Sequence, residues 1–180
     1  MARASQEVAR ETEADSEPRT FAGALRTYQA MVYGLAWHFL RDRAAAEEVA
    51  QDVFLELHRH WDELESDDHV KFWLRRVASN RCIDHTRKRK YQPIVALDDV
   101  PEPSAPGETS DFLLNQKLRD LVASLPEKPR MVTVLRYQEE MMPEEIATLL
   151  GMPVSTVKSH LQRSLAMMRE KVSRSLGEVR

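Results

Sequence analysis

Residues 91–111 interrupt an otherwise helix-patterned chain, and this break limits the fold more than any other stretch. Pro93, Pro101, Pro103, Pro106 and Gly107 stop any helix, and Asp98, Asp99, Glu102, Glu108 and Asp111 have no Lys or Arg among them. Such a segment reads as a flexible acidic linker. It divides the 180 residues into two parts, each large enough for one small domain. Both parts carry apolar residues at helical spacing, and the whole chain has only five Gly. The expected fold is all-α: two small helical domains that move semi-independently about the linker. Residues 1–19 have few apolar side chains and no periodicity, and read as a disordered tail.

In the first part, Thr20 is a plausible N-cap for a helix carrying Phe21, Leu25, Tyr28, Val32, Leu35 and Phe39 on one stripe. Asp42 can cap a second helix, about 44–64, that buries Val49, Val53, Leu57, Trp61 and Leu64. Its outward face sets Leu55 among Glu48, Gln51 and Asp52, which is either a protein-docking face or a solvated face with one stray Leu. Residues 66–69 form a short polar connection. A third helix, about 70–90, turns Val70, Trp73, Leu74 and Val77 inward and Phe72, Arg76, Asn80, Ile83 and Arg87 to another side. Aromatic, amide and guanidinium groups interleaved in this way suit exposed bases as well as backbone phosphates. The alternative is that Phe72 and Ile83 pack on a neighbouring helix. The terminal RKRK run, 87–90, calls for an anionic partner or the helix C-terminus to offset its self-repulsion.

In the second part, a helix over 112–124 is predicted with Leu114, Leu118, Leu121 and Leu125 inward. Residues 126–129 turn the chain into another helix, 130–138, carrying Val132, Leu135 and Arg136. The stretch PEEIATLLGMPVSTVKSHLQRSLAMM (143–168) then reads as two helices about a tight turn. Pro143 suits a first helical position, Glu144 and Glu145 favour the helix dipole, and Gly151 sits where a left-handed residue ends a helix. Pro153 starts the next helix, with Val157, Leu161, Leu165 and Met168 on its apolar stripe. Its other face carries Ser155, Ser159, Gln162 and Arg163, flanked by Thr156, Lys158 and His160. Hydroxyls and Lys bind phosphate oxygens, while Arg and Gln reach base edges, so the pattern suits a DNA-reading helix-turn-helix. An αα-hairpin inside a bundle is the other reading.

Composition narrows the function. The single Cys82 excludes an internal disulfide and a multi-cysteine metal site, and the six His lack ligand spacing. No cofactor or metal is expected. No apolar run is long enough to span a membrane and the N-terminal residues are polar, so a cytoplasmic protein is expected. Asp67 and Asp68 are paired carboxylates without a partnered His, for which helix capping suffices, so no enzyme is expected. The formal net charge is −3, but the signs are segregated: residues 71–90 are strongly basic, while 42–68 and 91–111 are acidic. Separate basic and acidic surfaces imply more than one kind of partner.

Four stretches carry a family resemblance: AEEVAQDVFLELHRHW (46–61), FWLRRVASNRCIDHTRKRK (72–90), SLPEKPR (124–130) and EEIATLLGMPVSTVKSHLQRS (144–164). In combination they resemble the extracytoplasmic-function (ECF) sigma factors of bacterial RNA polymerase, in the sigma-70 family. The resemblance implies that 20–90 is region 2, 91–111 the linker and 112–176 region 4. It implies docking on core polymerase through Glu48, Gln51, Asp52 and Leu55. It assigns the −10 promoter element to Trp73, Arg76, Asn80, Asp84, Arg87 and Lys88, with 66–69 as a pocket for an extruded base. It assigns the −35 element to Ser155, Thr156, Lys158, Ser159, His160 and Arg163. The linker would thread the polymerase cleft, and an anti-sigma factor would hold the free protein inactive.

The sequence departs from the family pattern at Ser155, where Gly is common, and at His160, where Arg is usual. Met141 and Met142 stand where a Ser or Thr cap often precedes the motif, and Lys128 and Pro129 replace a commoner polar pair. The competing function is an independent helix-turn-helix repressor or activator. Such a regulator usually needs a dimer interface, and the sequence offers no heptad stripe or spare apolar helix for one.

Overall fold

The computed structural model describes residues 20–91 and 110–177, and the described residues are helical with no strand. Helix α1, Phe21–Leu40, starts where Thr20 Oγ1 accepts the Gly23 N–H at 3.1 Å. It ends at Arg41, a left-handed residue with φ 57° whose N–H donates to the Trp37 carbonyl. Asp42 Oδ1 then accepts the Ala45 N–H at 3.1 Å and starts α2, Arg43–Arg59. With two residues between them, α1 and α2 form an αα-hairpin. A 3₁₀ turn, Trp61–Glu63, leads to α3, Asp67–Tyr91.

Residues 66–69 are not a loop. Ser66 Oγ accepts the His69 N–H at 3.2 Å, and the Ser66 carbonyl accepts the Val70 N–H, so this segment is the capped first turn of α3. Asp67 and Asp68 lie where carboxylates meet the positive end of the helix dipole. Val32, Leu35, Phe39, Val53, Leu57, Val70 and Leu74 make the core of this half. Phe21, Leu25, Tyr28, Trp61, Trp73 and Val77, expected inward, are half-buried at its margins.

The second half contains α4 (Ser110–Ala123), α5 (Glu127–Tyr137), α6 (Pro143–Leu150) and α7 (Val154–Gly177). Helix α5 begins at Glu127, inside the expected 126–129 turn. Pro143 is the first residue of α6, and the Glu145 carboxylate accepts the Met142 N–H at 2.6 Å, the N3 half of a capping box. Gly151 closes α6 at φ 61°, and only Gly adopts this region without cost. Pro153 precedes α7 rather than opening it; its carbonyl accepts the Thr156 and Val157 N–H groups. Met131, Val132, Leu135, Ile146, Leu149 and Val157 are buried. Thr133 donates to the Pro129 carbonyl at 2.8 Å and lies 2.9 Å from Ser164 Oγ, which satisfies two buried hydroxyls between α5 and α7. Leu125 is buried and Leu121 half-buried, but Leu118, expected inward, is 53% exposed. It rims a groove of about 690 Å³ that Val122, Tyr137, Leu165 and Met168 also line. The Leu114 side chain lies outside the described residues.

The two halves do not stand apart. Buried residues of both belong to one continuous apolar cluster, with α1 and α3 against α4, α5 and α6. Semi-independent motion, inferred from the linker's composition, is therefore not the arrangement found. The 1–19 tail and the Pro-rich part of the linker lie outside the described residues.

Candidate polymerase and promoter interfaces

Three faces carry the residues singled out in the sequence. On α2, Glu48, Gln51, Asp52 and Leu55 are all exposed, Leu55 at 59%. Leu55 is not isolated. It borders a groove of about 870 Å³ between α1 and α2, lined by Phe21, Leu25, Tyr33, Ala50 and Phe54. The sequence reading missed this groove because it treated Phe21 and Leu25 as core. An apolar stripe that runs past its covering helix offers the same pattern. Arg81 was missed too. It reaches from α3 to Glu56 at 2.6 Å and lies 3.9 Å from Asp52, so the acidic face is oriented by a cation 25 residues beyond Glu56. The hydrogen bond to Glu56 is the main cause that raises the Arg81 pKa above its usual value.

On α3, Arg76, Asn80, Asp84, Arg87 and Lys88 are exposed and recur every three to four residues along one side. At 1.5 Å per residue this stripe runs about 18 Å. Trp73 is half-buried, its ring tilted against His60 at 5.8 Å between centroids. Phe72 and Ile83 pack against the core, so the interleaved apolar surface is narrower than the sequence suggested. The supposed base pocket at 66–69 is a helical turn. Arg87 lies 3.7 Å from Asp84 and 3.9 Å from Glu127 of α5.

On α7, Ser155, Lys158, Ser159 and Arg163 are exposed, Thr156 and His160 half-buried, and Val157 buried beneath them. Lys158 Nζ lies 3.3 Å from Glu144 at the start of α6, a pairing the sequence reading missed. The Glu144 carboxyl is held below its usual pKa by a hydrogen bond to its own backbone and then by Lys158. His160 Nδ1 is buried without a partner. Burial, then Arg163 and Lys128, push the His160 pKa below its usual value.

Among the described residues, no three His, Cys, Asp or Glu side chains converge on a possible metal position. Burial pushes the Cys82 thiol up to about 12, which keeps it protonated. No described helix is long and apolar enough to cross a membrane.

Residues 24–91, which hold the first two faces, match the family described as Sigma-70 region 2, and residues 115–168, which hold the third, match Sigma-70 region 4. The RNA polymerase sigma-E factor of Streptomyces avermitilis is 33% identical over 159 residues, covering 88% of each chain. The chain belongs to the ECF sigma factors of the sigma-70 family. The ECF sigma factor SigW of Bacillus subtilis is 29% identical over 169 residues, covering 84% of this sigma factor and 88% of SigW. A solved sigma factor RpoE of Bartonella quintana, in complex with the anti-sigma factor NepR, shares the fold at TM-score 0.66 and 20% identity, covering 85% of this chain and 96% of that one. CnrH in complex with the cytosolic domain of CnrY superposes at TM-score 0.64 and 19% identity, covering 88% and 91%.

The exposed α7 face lends itself to a test that separates its side chains. If α7 reads DNA, Lys158→Ala is expected to weaken binding about equally across sequences and lower the salt slope by about one unit, the signature of a phosphate contact. Arg163→Ala and His160→Ala are expected to change which sequences are preferred, by about 1–3 kcal/mol per lost base contact. Fluorescence anisotropy over a salt series and a duplex library separates the two classes. A sequence-dependent Lys158→Ala beside sequence-neutral Arg163→Ala and His160→Ala would reverse the assignment.

Proposed function

We propose that this sigma factor confers promoter specificity by dividing labour among the three faces. Glu48, Gln51, Asp52 and Leu55 dock on core RNA polymerase. Trp73, Arg76, Asn80, Asp84, Arg87 and Lys88 hold and open the −10 element, and Ser155, Thr156, Lys158, Ser159, His160 and Arg163 read the −35 element. The observation that carries strand opening is Asn80, an exposed amide in the middle of the α3 stripe between Arg76 and Asp84. Cations alone bind duplex; an amide adds hydrogen bonds to base edges, including the Watson–Crick edges that strand opening exposes.

The protein acts in the cytoplasm and has no catalytic activity of its own. A solved sigma factor of similar fold is in complex with an anti-sigma factor, which supports control of this chain by an anti-sigma factor as well. An independent repressor or activator is disfavoured because α2 and α3 carry faces that a repressor does not require.

Asn80→Ala is expected to leave closed-complex binding nearly intact and slow promoter opening, as read by permanganate footprinting at the −10 region. Removing charge at Arg87 or Lys88 should instead weaken initial binding in a strongly salt-dependent way. An Asn80→Ala protein that is folded, binds core and opens the promoter at the parental rate would remove Asn80 from the mechanism.

A further inference from the structure

Arg75 neighbours Arg76 in sequence but turns about 100° away from the −10 stripe. Its Nε donates to the Glu139 carboxylate at 2.8 Å and its Nη2 to the Glu139 carbonyl at 3.3 Å. The Glu139 side chain is only 9% exposed and that of Arg75 17%, so the pair is largely withdrawn from water. Glu139 lies between α5 and α6, and the next residue, Glu140, holds a left-handed φ of 55° that non-Gly residues seldom adopt. A second bond crosses between the halves. Arg130 Nη1 donates to the Phe39 carbonyl at 3.1 Å, with its guanidinium 5.4 Å over the Phe39 ring. Phe39 is in the last turn of α1, where carbonyls lack intrahelical partners, so a residue of region 4 caps a helix of region 2. Weaker pairs join Arg41 to Asp120 and Arg87 to Glu127, each at 3.9 Å.

This arrangement does not fit the promoter geometry. Elements centred 25 base pairs apart lie about 85 Å apart along B-DNA at 3.4 Å per pair. A packed body of this chain length has a radius of gyration of only about 16 Å. Helices α3 and α7 cannot reach both elements while one core unites their halves. We infer that Arg75 and Glu139 form an ionic latch that holds region 4 against region 2 in a closed form unable to engage both promoter elements. In that form Glu127 also competes with DNA phosphate for Arg87. Opening exposes Arg75 and Glu139 to water, where the desolvation of the pair is relieved. Removing one partner in the closed form leaves the other charge buried and uncompensated, which favours opening. The latch rests on the contacts alone; its consequence for DNA rests on the proposed roles of α3 and α7.

The test uses the full chain carrying R59C and R169C, two exposed positions on α2 and α7, labelled with a donor and an acceptor dye. Cys82 is fully buried and does not compete for dye in the folded protein. E139A and R75A are expected to lower transfer efficiency relative to the parent, and the reversed pair R75E/E139R to recover it, with far-UV circular dichroism unchanged. If E139A alone loses helix, E139Q and the reversed pair carry the comparison. Equal transfer efficiency in the parent, E139Q and R75A would overturn the latch. A second arm titrates each chain with a probe holding a −35 duplex and a pre-opened −10 segment, and with a −35 duplex alone. If the closed form holds about 90% of the population, E139A tightens binding to the two-element probe by up to about tenfold and leaves the short duplex unchanged. An opened E139A with no gain on the two-element probe would refute the claim that closure blocks the promoter, and with it the roles given to α3 and α7, while the latch itself would stand on the transfer data.

Discussion

Leu55→Glu is expected to weaken binding to core RNA polymerase by at least about 2 kcal/mol, roughly 30-fold, without unfolding the protein. Leu55 is 59% exposed, so the substitution creates no cavity and buries no charge in the free chain. In the complex the polymerase would cover the same carboxylate at the border of the groove lined by Phe21, Leu25 and Phe54, and it would lose its hydration. Asp52→Arg should act by a different route. It sets a second guanidinium within reach of Arg81, which already lies 3.9 Å from the Asp52 carboxylate, and repulsion turns the acidic face away from its present geometry. Both are read by titrating labelled core polymerase, with a thermal melt as the folding control. Wild-type affinity in a folded Leu55→Glu protein would remove this face from docking.

Phe39→Ala is expected to cost about 3–5 kcal/mol of stability, a large share of what a chain of this size possesses. The Phe39 side chain is fully buried. Truncation leaves a void in the shared core and removes the ring on which the Arg130 guanidinium rests. Because α1 packs on both halves, the loss should appear as one lowered urea midpoint with an unchanged slope, not as a separate early transition. A cost under about 1 kcal/mol, or two resolved transitions, would show that the common core is not cooperative.

Local chemistry explains which parts of this fold were legible. Thr20, Asp42 and Gly151 each act on a backbone group within four residues, and Pro143 presets the first helical φ, so each role is legible locally. Ser66 had the same kind of signal, with Asp67 and Asp68 in the next positions, and was misread because acids in a short polar run look like a loop. Periodicity assigned faces to α2, α3 and α7 but could not say which stripe finds a partner. Leu118 shares the apolar stripe of α4 and yet lies 53% exposed. The contacts joining Arg81 to Glu56 and Arg75 to Glu139 span 25 and 64 residues and leave no local pattern. The basic and acidic segments announced complementary charge, yet the complement of Arg75 proved to be a single Glu on the far side of the linker.

The bond from Arg130 to the Phe39 carbonyl has a bearing on how the protein is made. The two residues are 91 positions apart, and synthesis runs from the N-terminus. At about 5–20 residues per second, the ribosome finishes α1 roughly 5–18 s before it adds the side chain that caps it. During that interval the last turn of α1 has only water at the Phe39 carbonyl and must rely on α2 and α3 to hold its register. The nascent N-terminal half is thus a looser object than the same residues in the finished chain, and its final turn sets only when the second half arrives.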